Sequence, residues 1–118
     1  NTAVEKLLPI DFEIFDDREE CPEGVNPIAV DLSHPILNGI DDKFPYFLGY
    51  NRSILKNGAK LVVKINEHPF IAAWDYYKGR SAIFASDCAP HWGSNEFMEW
   101  KHYETIWTNI VKWIIKSI

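Results

Sequence analysis

The chain has 118 residues, 47% of them hydrophobic and 14% aromatic, and carries a formal net charge of −5. That is material for one sizeable core and one domain, or part of one, near the lower end for a single α/β domain. The acidic balance serves solubility and argues against the clustered basic surface of a nucleic-acid binder; no apolar run is long enough to span a bilayer, and the N-terminus lacks the basic and apolar regions of a signal peptide.

In chain order, Asn1-Thr2-Ala3-Val4 lacks an initiator methionine, so the sequence reads as part of a longer polypeptide. Leu7 to Phe15 alternates loosely, with Ile10, Phe12 and Ile14 set against Asp11 and Glu13; this predicts a half-buried strand that Pro9 restricts to an edge or entry position. Asp16 to Gly24 concentrates charge and ends in turn formers, which predicts a solvated connection of no functional weight. Pro27 to Val30 reads as a short extended piece. Ser33 to Ile40 reads as a turn or short helix, with Ser33 as N-cap, Pro35 in the first turn and Gly39 as the stop.

Tyr46 to Asn51 is aromatic and contains a glycine, and the second half of Arg52 to Ile65 reads as a strand. Asn57-Gly58 is the sharpest short turn signal. Ile71 to Tyr77 and Ser81 to Ser86 flank Lys78-Gly79-Arg80, which predicts an antiparallel hairpin with a positive-φ glycine. Tyr103, Ile106, Trp107, Ile110, Val111 and Ile114 mark an amphipathic helix starting near Asn95. Gly93, Ser94 and Asn95 supply its cap chemistry, with Glu96 and Glu99 near its positive end and Lys112 and Lys116 near its negative end.

Chemistry concentrates in Ser86-Asp87-Cys88-Ala89-Pro90-His91-Trp92-Gly93-Ser94, where an apolar strand gives way to the helix. His91 is suited to proton transfer or to holding an oxyanion, or else fixes the loop by a local hydrogen bond with Trp92 packed beside it. Cys88 is a nucleophile activated by His91, or a small buried hydrophobe at a strand end. Asp87 orients His91 or Ser94, or caps the turn. Asn51 and Arg52, beside Tyr50, suit a carboxylate or phosphate or a surface salt bridge to the acidic segment, and with Trp92 and Ser94 they complete the candidate ligand-binding side chains.

A metal centre from Asp87, Cys88, His91 and His102 lacks a second Cys or His pair at ligand spacing, so neither metal nor cofactor is expected. His34 and His68, each followed by proline, read as turn residues that can still line a cleft. Trp74, Trp92, Trp100, Trp107 and Trp113 read as core or interface filler. Two cysteines, Cys21 and Cys88, are too few for a disulfide scaffold, which favours a reducing, cytoplasmic setting.

Leu8-Pro9-Ile10, Asp16-Asp17-Arg18-x-Glu20-x-Pro22-Glu23-Gly24, His34-Pro35-Ile36, Gly49-Tyr50-Asn51-Arg52, Gly79-Arg80 and Ser86-Asp87-Cys88-Ala89-Pro90-His91-Trp92-Gly93 form a pattern. It resembles the C-terminal half of the glutamine amidotransferase-like family, relatives of the class I glutamine amidotransferases and of the ThuA-like proteins, over nearly the whole chain. The resemblance implies a flavodoxin-like three-layer α/β sandwich of which this is the C-terminal portion, the nucleophile-elbow strands preceding Asn1. In class I glutaminases an elbow cysteine attacks the glutamine amide with a histidine and a glutamate that follow a late strand; His91 matches that histidine by position. No His-x-Glu pair stands here, and Cys88 lies beside the histidine rather than on an elbow.

Three functions follow as expectations. The first is an amidotransferase-like domain, its glutaminase activity uncertain or lost, binding a small polar or anionic ligand near His91. The second is a Cys88/His91 hydrolase for amides or esters. The third is an interaction module whose aromatic helix and exposed sheet edge meet the N-terminal half of the same domain or a second copy of the chain.

Overall fold

The computed structural model describes residues 2–118. It is a mixed α/β fold of three antiparallel sheets and three helices. Strand β1 (Ile10–Phe12) pairs with β5 (Ser53–Leu55), and β2 (Arg18–Val25) pairs with β4 (Phe47–Asn51). The largest sheet has four strands in the order β3 (Ile28–Ala29), β6 (Lys60–Ile65), β7 (His68–Tyr76), β8 (Gly79–Phe84). Helices α1 (Ala3–Leu7), α2 (Asn95–Met98) and α3 (Tyr103–Ile114) complete it.

The parallel strands of a flavodoxin-like sandwich are not among the paired strands of the described residues. Connection length explains this. Asn66-Glu67 and Tyr77-Lys78 are the only residues between the end pairs Ile65↔His68 and Tyr76↔Gly79, and a parallel neighbour needs a crossover of about a dozen residues or more.

Strand β7 is the centre of the core: Pro69 to Ala73 is buried throughout, the continuous apolar run of a strand covered on both faces. Phe70 meets Phe47 at 4.9 Å and Phe84 at 4.8 Å, Phe47 meets Phe97 at 4.6 Å, and Phe84 meets Trp107 at 4.5 Å. Each buried aromatic contributes about 1.5–3 kcal/mol by leaving water. This cluster ties β4, β7 and β8 to both C-terminal helices.

Four local expectations change. Asp16 to Gly24 is not a solvated connection: from Arg18 onward it is β2, laddered to β4, because backbone pairing with a distant strand overrides local charge. Pro22 is tolerated there because the register shifts between Glu20 and Val25. Around residue 34 the chain forms a 3-10 turn (Pro35–Leu37) whose N-cap is His34, not Ser33; His34 Nδ1 accepts from Ile36 N–H at 3.1 Å, while Ser33 Oγ bonds Asp31. In the β7–β8 hairpin the positive φ falls on Tyr77 (+53°), not on Gly79.

The C-terminal helix is also two helices. Ser94 caps α2, and a break at residues 99–102 precedes α3. Phe97, Trp100, Tyr103, Trp107 and Ile110 run through that break at three- and four-residue spacing, so the sequence shows one helix where the chain makes two. On α3 the buried residues are Ile106, Asn109 and Trp113, whereas Val111 and Ile114 are exposed. Asn109 donates to the carbonyls of Ile36 and Asn38 and so fixes the 3-10 turn.

Candidate functional site

The 86–94 segment leaves β8 and crosses the end of β4, and it is fastened almost entirely by side chains. Ser86 Oγ donates to the Gly49 carbonyl (2.7 Å), Ser94 Oγ to the Tyr46 carbonyl (2.7 Å) and Tyr103 Oη to the Cys88 carbonyl (2.7 Å). The backbone adds the Leu48 N–H bond to the Trp92 carbonyl within an antiparallel bridge of Phe47 and Gly93, and, just before the segment, the Asn51 N–H bond to the Ala85 carbonyl, both bonds 2.8 Å. Trp92 is buried, its Nε1 donating to Glu20 Oε1 at 3.2 Å, and its indole lies directly over Gly49. A Cβ on residue 49 would fall 2.3 Å from Trp92 Nε1, so glycine is the residue that lets the indole seat.

Asp87 holds the centre of the loop. One carboxylate oxygen, Oδ2, accepts from His91 Nδ1 (2.7 Å) and from Trp92 N–H (3.1 Å). Asp87 therefore does both of the things expected of it: it orients the histidine and it closes the turn. A carboxylate only accepts, so His91 Nδ1 carries the hydrogen and, in the neutral ring, Nε2 is left as an acceptor. Among the described residues Nε2 has no partner, and the His91 side chain is 69% exposed. Its ring stacks on Trp92 with centroids 5.3 Å apart.

His91 also has φ +147°, a conformation that L side chains rarely adopt. Strain of this kind persists where neighbours over-determine the backbone, and the double grip of Asp87 with the Leu48–Trp92 bond does so.

The other expected residues separate from this pair. Cys88 is exposed rather than buried at a strand end, and among the described residues its thiol makes no hydrogen bond to His91 or Asp87. Trp92 and Ser94 serve as scaffold, Ser94 as the α2 cap accepting from Phe97 N–H. Asn51 and Arg52 face a different cleft with Asp17. Among the described residues no group of three or more His, Cys, Asp or Glu is placed to hold a metal, and His102 bonds Asp41 instead.

Two contacts go beyond the roles expected from the sequence. Glu20, in the segment read as inert, anchors Trp92. Tyr50, fully buried, bonds His68 Nδ1 at 2.9 Å and accepts from Asn66 Nδ2 at 3.3 Å, its hydroxyl pushed up in pKa mainly by burial. His68 lines a second cleft with Lys64 and Glu67. Both residues stand in the family pattern, Glu20 after Asp16-Asp17-Arg18 and Tyr50 before Asn51-Arg52, but nothing in the sequence pairs them with Trp92 or His68.

A family model described as "Putative glutamine amidotransferase" matches residues 1–116. Among solved structures, cytoplasmic protein STM3548 from Salmonella typhimurium is similar at 41% identity over 97% of this chain, with a TM-score of 0.91. Cytoplasmic protein STM1381 from Salmonella typhimurium LT2 is similar at 38% identity over 96% of this chain, also with a TM-score of 0.91. In each case the chain spans 46% of the matched structure, under half its length. Among curated proteins no relative matches.

Proposed function

This chain belongs to the glutamine amidotransferase-like family, and from that premise we propose that it is part of an amidotransferase-like domain whose 86–94 loop binds a small polar or anionic ligand through His91. The observation that carries the reading is a histidine held at φ +147°, with Nδ1 fixed by Asp87 and Nε2 open to solvent. A neutral His91 accepts a ligand O–H or N–H at Nε2; a protonated one donates there to an anion. Asp87 stabilises the imidazolium in the second case.

We place the domain among ligand-binding members rather than working glutaminases. The carboxylate beside the histidine is Asp87, four residues before it, and the exposed Cys88 thiol has no hydrogen bond to the imidazole. The rest of a flavodoxin-like three-layer sandwich belongs, in this reading, to the portion of the matched structures that the chain does not cover, and that portion or a second copy is its partner. A cytoplasmic setting is in keeping with what the two Salmonella proteins are called and with two unpaired cysteines.

The test is calorimetric titration of the full-length gene product and its His91→Ala variant with L-glutamine, L-glutamate and inorganic phosphate, alongside glutamate release from L-glutamine. At least one probe should bind and lose about tenfold in affinity in the variant, with hydrolysis at background in both. Equal affinity in both proteins for every probe would sink the proposal. Hydrolysis abolished by alkylating Cys88 would replace it with the Cys/His hydrolase.

A further inference from the structure

Three buried side-chain polar atoms among the described residues have no hydrogen-bond partner: Arg52 Nε, Ser53 Oγ and Trp107 Nε1. The first two belong to adjacent residues in the wall of one cleft of about 200 Å³, which Asp17 and Asn51 also line. Ser53 is only 7% exposed, so its orphan hydroxyl is well inside the fold. A buried donor without a partner costs about 1–3 kcal/mol, and more when the group is charged. Two on residues that line one cleft mark a place where something else completes the hydrogen bonding.

The charges restrict what that is. Arg52 Nη2 donates to the Asp16 carbonyl (2.7 Å), and Nη1 lies 3.7 Å from Glu19 without a hydrogen bond. Asp17 uses Oδ1 to accept from Asn51 Nδ2 (3.0 Å), and among the described residues Oδ2 has no hydrogen-bond partner. An entering anion would thus meet the Asp17 carboxylate in the wall and a guanidinium whose charge Glu19 already offsets from outside the cleft, so the carboxylate or phosphate suggested by an arginine beside an amide is a poor match. A neutral group that offers an acceptor and a donor side by side is a good one. The remaining walls are apolar, from Ile10 and Phe12 of β1 and Ile83 and Phe84 of β8. The volume is below the range of about 300–1,000 Å³ typical of drug-sized pockets, so the ligand has few heavy atoms.

We propose that the Arg52–Ser53 cleft binds a small neutral amide or urea, whose carbonyl oxygen accepts from Arg52 and Ser53 and whose N–H donates to Asp17. The site is separate from the His91 loop: His91 does not line it, and its occupancy does not depend on that histidine. Arg52 Nε and the Ser53 hydroxyl are closed to solvent and engage as the side chains turn toward the carbonyl.

The experiment follows the Arg52 Nε–H signal and the backbone N–H signals of Asn51, Ser53 and Ala85 by proton–nitrogen NMR while acetamide, urea, acetate or methylammonium is added. Acetamide and urea should shift these signals saturably, and acetate and methylammonium should not. Ser53→Ala, whose hydroxyl has no partner to lose, should fold normally and weaken amide binding about threefold to tenfold. Arg52→Lys, which keeps the charge but not the fork of donors, should weaken it further. The proposal is overturned if acetate matches acetamide, if no probe saturates, or if Ser53→Ala binds as well as the parent. It is overturned equally if, in the full-length gene product, the Arg52 Nε–H is protected and deaf to acetamide, because the protein's own chain would then fill the cleft.

Discussion

The β7–β8 hairpin and the loop that follows it are built on opposite principles. The hairpin runs in unbroken antiparallel register from Ile71↔Phe84 to Tyr76↔Gly79, so main-chain groups supply its hydrogen bonds and many side chains would serve. The 86–94 loop has only a few main-chain bonds to the sheet and depends on Ser86, Asp87, Trp92, Ser94 and Tyr103 to hold its backbone. That is why its sequence looks like a motif. Most of its polar residues are spent on fastening, and the chemistry left over is that of His91 Nε2 and the exposed Cys88 thiol.

The largest way to break the contrast is to add a single carbon at each end of it. In Gly49→Ala the new Cβ falls 2.3 Å from Trp92 Nε1 and within 2.6 Å of two further indole atoms, so the ring must leave its seat and lose its bond to Glu20. Urea denaturation should show a loss of about 3 kcal/mol, at the upper end for overpacking. In Gly79→Ala, within the hairpin, the nearest atom is 3.8 Å away and φ is not positive, so stability should hold or rise by about 0.5 kcal/mol. Equal losses would mean that the loop is no more dependent on its side chains than the hairpin.

Next in size is Ser94→Ala. It removes the α2 cap and leaves the Tyr46 carbonyl without its hydroxyl donor. A loss of about 1.5 kcal/mol is expected. Tryptophan fluorescence should report local loosening around Trp92 at lower urea than the far-ultraviolet signal of the sheet.

How much of this was legible follows the same division. The hairpin was readable because two apolar runs around a short polar turn carry their pairing in local sequence; its positive-φ residue was misplaced by two positions, since glycine drew the assignment and Tyr77 took the strain. Helix α3 was readable from its stripe. Strand β2 was not, because Arg18 to Val25 has no apolar face of its own and exists through its distant partner β4. For the loop, the sequence offered Asp87, Cys88 and His91 together, and the structure joins Asp87 to His91 by a hydrogen bond, but nothing local separates fasteners from free groups. Cys88 stood beside the histidine in sequence without bonding to it in space.

A smaller effect isolates the strain at His91. His91→Ala and His91→Gly both remove the imidazole and its bond to Asp87, so their difference reports the backbone alone. Glycine accepts φ +147° and alanine does not. The glycine variant should be more stable than the alanine variant by about 1 kcal/mol, measured by thermal unfolding of the two side by side. Identical stabilities would mean that the residue relaxes to an ordinary conformation once the ring is gone, and that the strain belongs to the Asp87 contact.

The smallest effect is a pH dependence in a third segment, the 3-10 turn, which like the loop is held by a side chain. His34 Nδ1 can cap Ile36 N–H only while unprotonated, and burial pushes its pKa below the ordinary value of 6.5. The unfolded chain therefore takes up the proton first as pH falls, so His34 contributes stability that is full above about 6.5 and declines below it. Exchange of the Ile36 amide, corrected for its intrinsic rate, should accelerate between pH 7 and pH 5 while the amides of the β7–β8 ladder stay protected. His34→Asn keeps an acceptor at the cap and has nothing to titrate, so it should abolish the slope without uncapping the turn. If the ladder amides accelerate in step with Ile36, the turn and the hairpin open as one unit, and side-chain fastening gives the turn no separate sensitivity to acid.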